Sequence, residues 1–162
     1  MQPPPISQLD STFRLLKIED AQEILNWRNV PEVFEFTSSG APVSSQNHHK
    51  WMEVRLANLS EEPVFILEKV SRLGMFRVDR VLNNPTALEI SILISPNCFG
   101  LGIGSEMMKL YFENHAPKSP VDYFARIHKD NLRSQKFFEK HNFFKLSEEA
   151  HFNYFQRKVD HD

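Results

Sequence analysis

Apolar positions along the chain alternate between two spacings. Residues 64–69, 73–82 and 86–94 are apolar-rich runs of strand length, separated by Ser71-Arg72 and by Asn83-Asn84-Pro85. Runs of this length bounded by turn residues predict three strands, and such short connections predict an antiparallel meander. Elsewhere the spacing is helical. Trp51, Met52, Arg55 and Leu59 share one stripe of a helix running to about residue 59, with Ser44 or Ser45 as its cap. Ile103, Met107, Leu110 and Tyr111 form a second stripe and predict a helix over 105–115.

The remaining segments fill in the order. Residues 13–18 read as a first strand, and Glu19-Asp20 then opens a helix carrying Ile24, Leu25 and Arg28. Asn29-Val30-Pro31 ends it, because the residue before proline resists the helical region. A short piece at 32–36 precedes a polar loop at 37–42. After the second helical stripe come a strand at 121–128, a helix at 131–141, and closing strands at 143–146 and 152–159. The order β-α-α-β-β-β-α-β-α-β-β predicts an α/β (α+β) fold, with about seven strands and four helices.

Size and charge narrow the function. A chain of 162 residues predicts one domain, over 13–162, with 14 Phe supplying an aromatic core. Residues 1–12 contain Pro3, Pro4 and Pro5 and read as a flexible lead-in rather than a secretion signal. A net charge of −2 argues against nucleic acid as the main partner, and no apolar run is long enough for a membrane span. Lys129, Arg133, Lys136 and Lys140 are a local exception, either a solvated helix face or a phosphate-neutralising one. Cys98 is the only cysteine, so no internal disulfide or cysteine-built metal site is expected, which fits a reducing cytoplasm.

The chemistry concentrates where strand character gives way to helix. Between Ser95-Pro96 and the helix, glycines stand at alternate positions: Gly100, Gly102 and Gly104. Such a turn uncovers backbone N–H groups and aims the positive end of a helix at its ligand, which suits a phosphate-bearing cofactor. Ser105 interrupts the dinucleotide fingerprint, and no Lys-Ser/Thr pair follows to make a Walker loop. A plain flexible turn is the alternative. The segment Phe99-Gly100-Leu101-Gly102-Ile103-Gly104 resembles the pyrophosphate loop of the GCN5-related N-acetyltransferases (GNAT), with Phe99 where that family carries Gln or Arg.

A second segment is similar to the same family's Asn-x-x-Ser-x-x-(Leu/Phe)-Tyr-Glu-Lys-x-Gly-Phe signature. It matches at Asn131, Ser134, Phe137, Glu139, Lys140 and Phe143. Phe138 stands where the family has a Tyr that commonly protonates the departing thiolate, and Asn142 replaces the helix-ending Gly. The match is also compatible with an amphipathic helix filling a core.

The resemblance covers nearly all of residues 13–159. It implies the acyl-CoA N-acyltransferase fold, a mixed and mostly antiparallel sheet whose central strands splay around the cofactor arm. It implies acetyl-CoA binding through Ile92, Ile94, Phe99, Gly100, Leu101, Gly102, Ile103, Gly104, Ser105, Asn131, Ser134, Phe137 and Lys140. Glu89, the carboxylate of the fourth strand, is the implied general base. His48 is the other candidate, since its pKa lies near the working range. A backbone N–H near Ile92 would hold the oxyanion.

The segments Trp27-Arg28-Asn29-Val30-Pro31-Glu32-Val33 and His48-His49-Lys50-Trp51 are similar to those of two GNAT branches. One acts on nucleotide-linked amino sugars (the pseudaminic acid pathway type), the other on the N-termini of ribosomal proteins. That likeness puts Arg28, Asn29, His48, Trp51 and Arg77 near the acceptor, with Trp27, Trp51 and Arg28 as core and local pairing the competing reading. The expected function is a cytoplasmic N-acetyltransferase acting on a primary amine, an amino sugar first, as monomer or homodimer. Alternatives are a protein N-terminal acetyltransferase or a non-catalytic coenzyme A-binding module.

Overall fold

The computed structural model describes residues 12–158. The proposed lead-in (residues 1–11 of it) and the end of the last predicted strand, at Val159, lie outside them.

Seven strands form one sheet in the order β1-β2-β3-β4-β5-β7-β6. They are β1 (Thr12–Leu15), β2 (Val64–Glu68), β3 (Arg72–Val81), β4 (Asn84–Ile94), β5 (Asp122–His128), β6 (Phe143–Glu148) and β7 (Phe152–Arg157). Pairing from β1 to β4 is antiparallel, as is pairing among β5, β7 and β6. The halves meet along one parallel seam, Ala87↔Asp122, Leu88↔Tyr123 and Glu89↔Phe124. Beyond it β4 runs on to Ile94 and β5 to His128 with no pairing between them among the described residues. The strands splay, as the resemblance implied.

Helices α1 (Ala21–Arg28), α2 (Pro31–Phe34), α3 (Ser45–Ala57), α4 (Ile103–Asn114) and α5 (Leu132–Lys140) complete the fold. Five helices replace the expected four. The fifth is α2: Pro31, which ends α1, also fits the first position of a new turn behind the extended Val30. Glu19-Asp20 belong to a 3₁₀ turn, Ile18–Asp20, rather than to α1 itself. None of these helices is long and apolar enough to cross a membrane.

Alternation along β4 divides two cores. Ile90, Ile92 and Ile94 pack with Ile103, Met107 and Tyr111 of α4, whereas Leu93 packs with Met75, Met52 and Trp27 on the α1/α3 face. Trp27 is therefore core. On that second face Glu89 and Ser91 continue the row of Leu93, beside Asp79 and Arg77 of β3.

One buried carboxylate ties α1 to the sheet. Asp20 is 0% exposed and accepts from Arg14 at 2.8 and 2.9 Å, from Arg72 at 2.6 Å, and from the Lys17 N–H at 2.8 Å. Burial pushes its pKa up, but the hydrogen bonds from Arg14, Lys17 and Arg72 outweigh burial and hold it below the ordinary carboxylate value. A depressed folded-state pKa gives stability that is present above the unfolded value and lost as pH falls through the folded one. Asp20→Asn, which leaves two guanidinium groups short of a partner, is expected to cost about 3–5 kcal/mol in urea denaturation. The deficit should shrink in the same measurement as pH falls from about 4, the ordinary carboxylate value, through the lower value of the folded state.

Candidate active site

The glycine turn forms as expected, but its glycines serve two different purposes. Gly100 and Gly102 have φ of 77° and 78°, the left-handed region, although a Cβ on either would meet nothing within 4 Å. Their requirement is conformational. Gly104 lies inside α4, and a Cβ there would stand 3.0 Å from the Phe137 ring, so this glycine lets α5 pack against α4.

The first backbone bond of α4 runs from the Glu106 N–H to the Gly102 carbonyl. The N–H groups of Ile103, Gly104 and Ser105 therefore have no acceptor among the described residues. The expectation of bare amides across 100–104 needs one correction. Leu101 N–H already donates to the Cys98 carbonyl at 3.3 Å, and the Leu101 side chain is exposed and outside the cleft.

This turn opens into a cleft of about 610 Å³ that follows the splayed gap. Ile92, Ile94, Phe99, Gly100, Gly102, Ile103, Gly104 and Ser105 line one end with Asn131, Ser134 and Phe137. Lys140 does not: it is exposed at the far end of α5, away from the lining. Arg133, from the first turn of α5, is the cation that does reach this end. Its guanidinium lies 4.4 Å from the centre of the Phe99 ring, so the residue that departs from the family pattern holds a cation at the loop.

Backbone direction supports the role given to Ile92. Ser95 N–H donates to the Leu73 carbonyl, and the β3–β4 register is regular from Gly74↔Ile94 to Val78↔Ile90. In an antiparallel pair alternate residues face the partner, so Leu93 and Ser91 bond β3 while the N–H groups of Ile92 and Ile94 face the gap.

The other end of the cleft is charged. Glu89 lines it, and burial first, then the neighbouring Asp79, pushes its pKa above the ordinary value against the opposing pull of Arg77 and Arg126. Arg77 is itself occupied, at 2.9 Å from Asp79 and 3.2 Å from Ser91 Oγ. Asp79 also pairs with Arg55 of α3.

Arg28 lines the cleft with its guanidinium 5.2 Å from the centre of the Trp51 ring, and no carboxylate lies within ion-pair distance of it among the described residues. Burial, then repulsion from Arg77, lowers its pKa. The competing reading, in which Arg28 serves a local carboxylate, does not hold.

Two sequence candidates stand behind this wall rather than in it. His48 is only 1% exposed and has both ring nitrogens engaged. Nε2 donates to the Ala21 carbonyl at 2.7 Å, so Nδ1 accepts from Arg28 at 3.1 Å. A base needs a free nitrogen facing the substrate, and His48 has none. Burial and Arg28 also lower its pKa. His48 positions Arg28. Asn29 is likewise absent from the cleft: it brackets the backbone of Val43 at 2.8 and 2.9 Å and closes the base of the loop that follows α2.

That loop, α2 and β5 supply residues the sequence reading missed. Val33 of α2 lines the cleft with Phe36, Thr37 and Ser38 of the loop, as do Arg126 and His128. The available signal was the alternation of β5, in which Ala125 and Ile127 are buried and Arg126 and His128 fall on the opposite face.

Similarity to known proteins agrees with this geometry. A family model for the acetyltransferase (GNAT) domain matches residues 11–143. No curated protein matches the sequence. Among solved structures, a ribosomal-protein alpha-N-acetyltransferase in complex with coenzyme A is 13% identical, with a TM-score of 0.78 over 98% of both chains. A Salmonella typhimurium protein solved with its cofactor acetyl-CoA is 18% identical, with a TM-score of 0.71 over 94% of this chain and 96% of that one. An N-acetyltransferase from Staphylococcus aureus Mu50 is 22% identical, with a TM-score of 0.71 over 93% of this chain and 98% of that one.

The two glycine roles predict different losses. Gly102→Ala puts a Cβ on left-handed backbone, at a cost of about 1–2 kcal/mol, and should weaken anion binding at the start of α4. Gly104→Ala pushes on Phe137 and should cost about 1–3 kcal/mol. Thermal denaturation and calorimetric titration with coenzyme A check both. A Gly104→Ala protein as stable as wild type would mean that Phe137 yields without cost.

Proposed function

The chain belongs to the GNAT acetyltransferase family, and from that premise we propose that it acetylates the primary amine of an acceptor carrying an anionic group, an amino sugar linked to a nucleotide. As a member of the family it is an N-acetyltransferase whose cosubstrate is acetyl-CoA. The observation that carries the acceptor proposal is Arg28, a cation in the cleft wall with an aromatic face beneath it, a histidine behind it and no carboxylate within ion-pair distance among the described residues. A partly buried guanidinium so arranged favours a phosphate or carboxylate on the ligand, and Trp51 offers a flat surface for a base or sugar ring.

The glycine turn fits the cosubstrate. The N–H groups of Ile103, Gly104 and Ser105, which have no acceptor among the described residues, suit its diphosphate at the positive end of α4, with Arg133 as a nearby cation. The thioester supplies the acetyl group. The chain's own residues then have three tasks. Glu89 takes a proton from the acceptor ammonium or amine, directly or through water, and its raised pKa brings it closer to that of its substrate. The N–H of Ile92, facing the gap, donates to the thioester oxygen as negative charge develops there. Phe138, buried beside the cleft, has no proton to give, so the departing thiolate takes one from water or a cleft hydroxyl.

Glu89→Gln is expected to lower kcat by about 10²–10⁴-fold while leaving coenzyme A affinity unchanged. An unaltered kcat removes Glu89 from the mechanism. Activity requires ionised Glu89, so kcat/KM should rise with pH through a pKa above that of ordinary glutamate. Asp79→Asn removes a neighbouring negative charge and should move that rise to lower pH. The acceptor is tested with UDP- and dTDP-linked amino sugars alongside N-terminal peptides. Acetylated sugar is expected, and acetylated peptide with untouched sugars overturns the acceptor assignment.

A further inference from the structure

Arg126, like Arg28 and Arg133, is a cleft guanidinium without a carboxylate within ion-pair distance among the described residues. It comes from β5, beyond the end of the parallel seam, while Arg28 comes from α1 on the other side of it. Both cations rest on aromatic faces. Arg126 lies 3.6 Å from the centre of the Phe152 ring. Its Nε donates to the Tyr154 hydroxyl at 3.3 Å and its Nη1 to Ser38 Oγ at 3.0 Å, which leaves Nη2 as the unengaged nitrogen among the described residues. A guanidinium fixed by a ring and a hydroxyl is pre-organised, and Ser38 Oγ is a neutral oxygen in a place that suits a charged one.

Ser38 belongs to the loop that Asn29 closes at its base. Phe36 of the same loop lies against His128 of β5, with ring centres 5.7 Å apart. The loop thus reaches from the α1 side across the acceptor end of the cleft, and its tip is held by Arg126.

We infer that Arg126 is a specificity-determining residue: it reads a second anionic group of the acceptor, a phosphate or carboxylate, which replaces Ser38 on Nη1. This deepens the anionic-acceptor reading and rests on it. With Arg28 on one side of the seam and Arg126 on the other, the cleft selects amines bearing two negative charges, as a diphosphate does, over neutral amines of the same size.

The competing role for Arg126 is to latch the loop and nothing more. Two variants separate the roles because they should then differ in sign. UDP binding is measured by calorimetry on protein saturated with coenzyme A, which keeps UDP out of the cosubstrate end. Arg126→Gln is expected to weaken UDP binding about tenfold or more, while Ser38→Ala, which frees Nη1, leaves it equal or tighter. Arg126→Lys, which keeps the charge and loses the fork, should fall between wild type and Arg126→Gln, and it serves as the test if Arg126→Gln does not fold. Equal weakening by Arg126→Gln and Ser38→Ala, or wild-type binding by Arg126→Gln, overturns the inference.

Failure of UDP to bind wild-type protein would count against the nucleotide-sugar assignment instead. Peptides with Asp or Asn at the second position then decide the remaining point. A preference for Asp in kcat/KM that disappears in Arg126→Gln sustains anion reading by Arg126, and its absence in wild type ends it.

Discussion

The structure depends on a seam that stops early. Three residue pairs join β4 to β5, from Ala87↔Asp122 to Glu89↔Phe124, and beyond them the strands diverge. Backbone groups that leave a ladder need other partners, so a gap between strands persists only where the fold holds its walls apart. The α4/α5 core packs Ile103, Met107 and Phe138 with Ile90 of β4 and with Ala125 and Ile127 of β5, and so backs both walls, while the α1/α3 core covers the other face of β3 and β4 through Met75, Met52 and Trp27. The gap leaves backbone donors of Ile92 and Ile94 facing a space that a narrow, amide-bearing chain can fill. The glycine turn lines that opening, and Glu89, the last β4 residue of the seam, stands at its apex.

Arginines in this protein divide by what neutralises them. Arg14 and Arg72 share the buried Asp20, and Arg77 and Arg55 share Asp79. These pairings are structural and fix α1 and α3 to the sheet. Arg28, Arg126 and Arg133 line the cleft, rest on Trp51, Phe152 and Phe99, and have no carboxylate partner among the described residues. Aromatic support holds a guanidinium in place without cancelling its charge, so its attraction for an incoming anion survives. His48 contributes in the same way, holding Arg28 through a ring nitrogen that carries no proton.

Much of the fold was legible because it follows from periodicity and turn chemistry. The meander, the α4 stripe, the helix after β5 and the order of elements along the chain all rest on local patterns, and local geometry enforces them. The glycine turn was legible for the same reason, since a left-handed φ at Gly100 and Gly102 is a requirement of neighbouring residues alone. Pro31 was read correctly as a stop, while its second role as the start of α2 was missed. Proline at a helix start and proline after a helix end are the same local signal.

The amino-acid order by itself determined the family, the glycine turn and the carboxylate on β4, because each is written in consecutive residues. Only the tertiary structure decided which polar side chains face the cleft. His48 and Trp51 sit one helical turn apart in sequence, yet one is sealed behind Arg28 and the other lines the cleft. Asn29 and Arg28 are adjacent, and packing turned one toward a loop and the other toward the cleft. Arg126 and Ser38 meet across 88 positions of chain. A side chain's exposure depends on what the rest of the chain places over it, and that is set by long-range packing, which no short window of sequence contains.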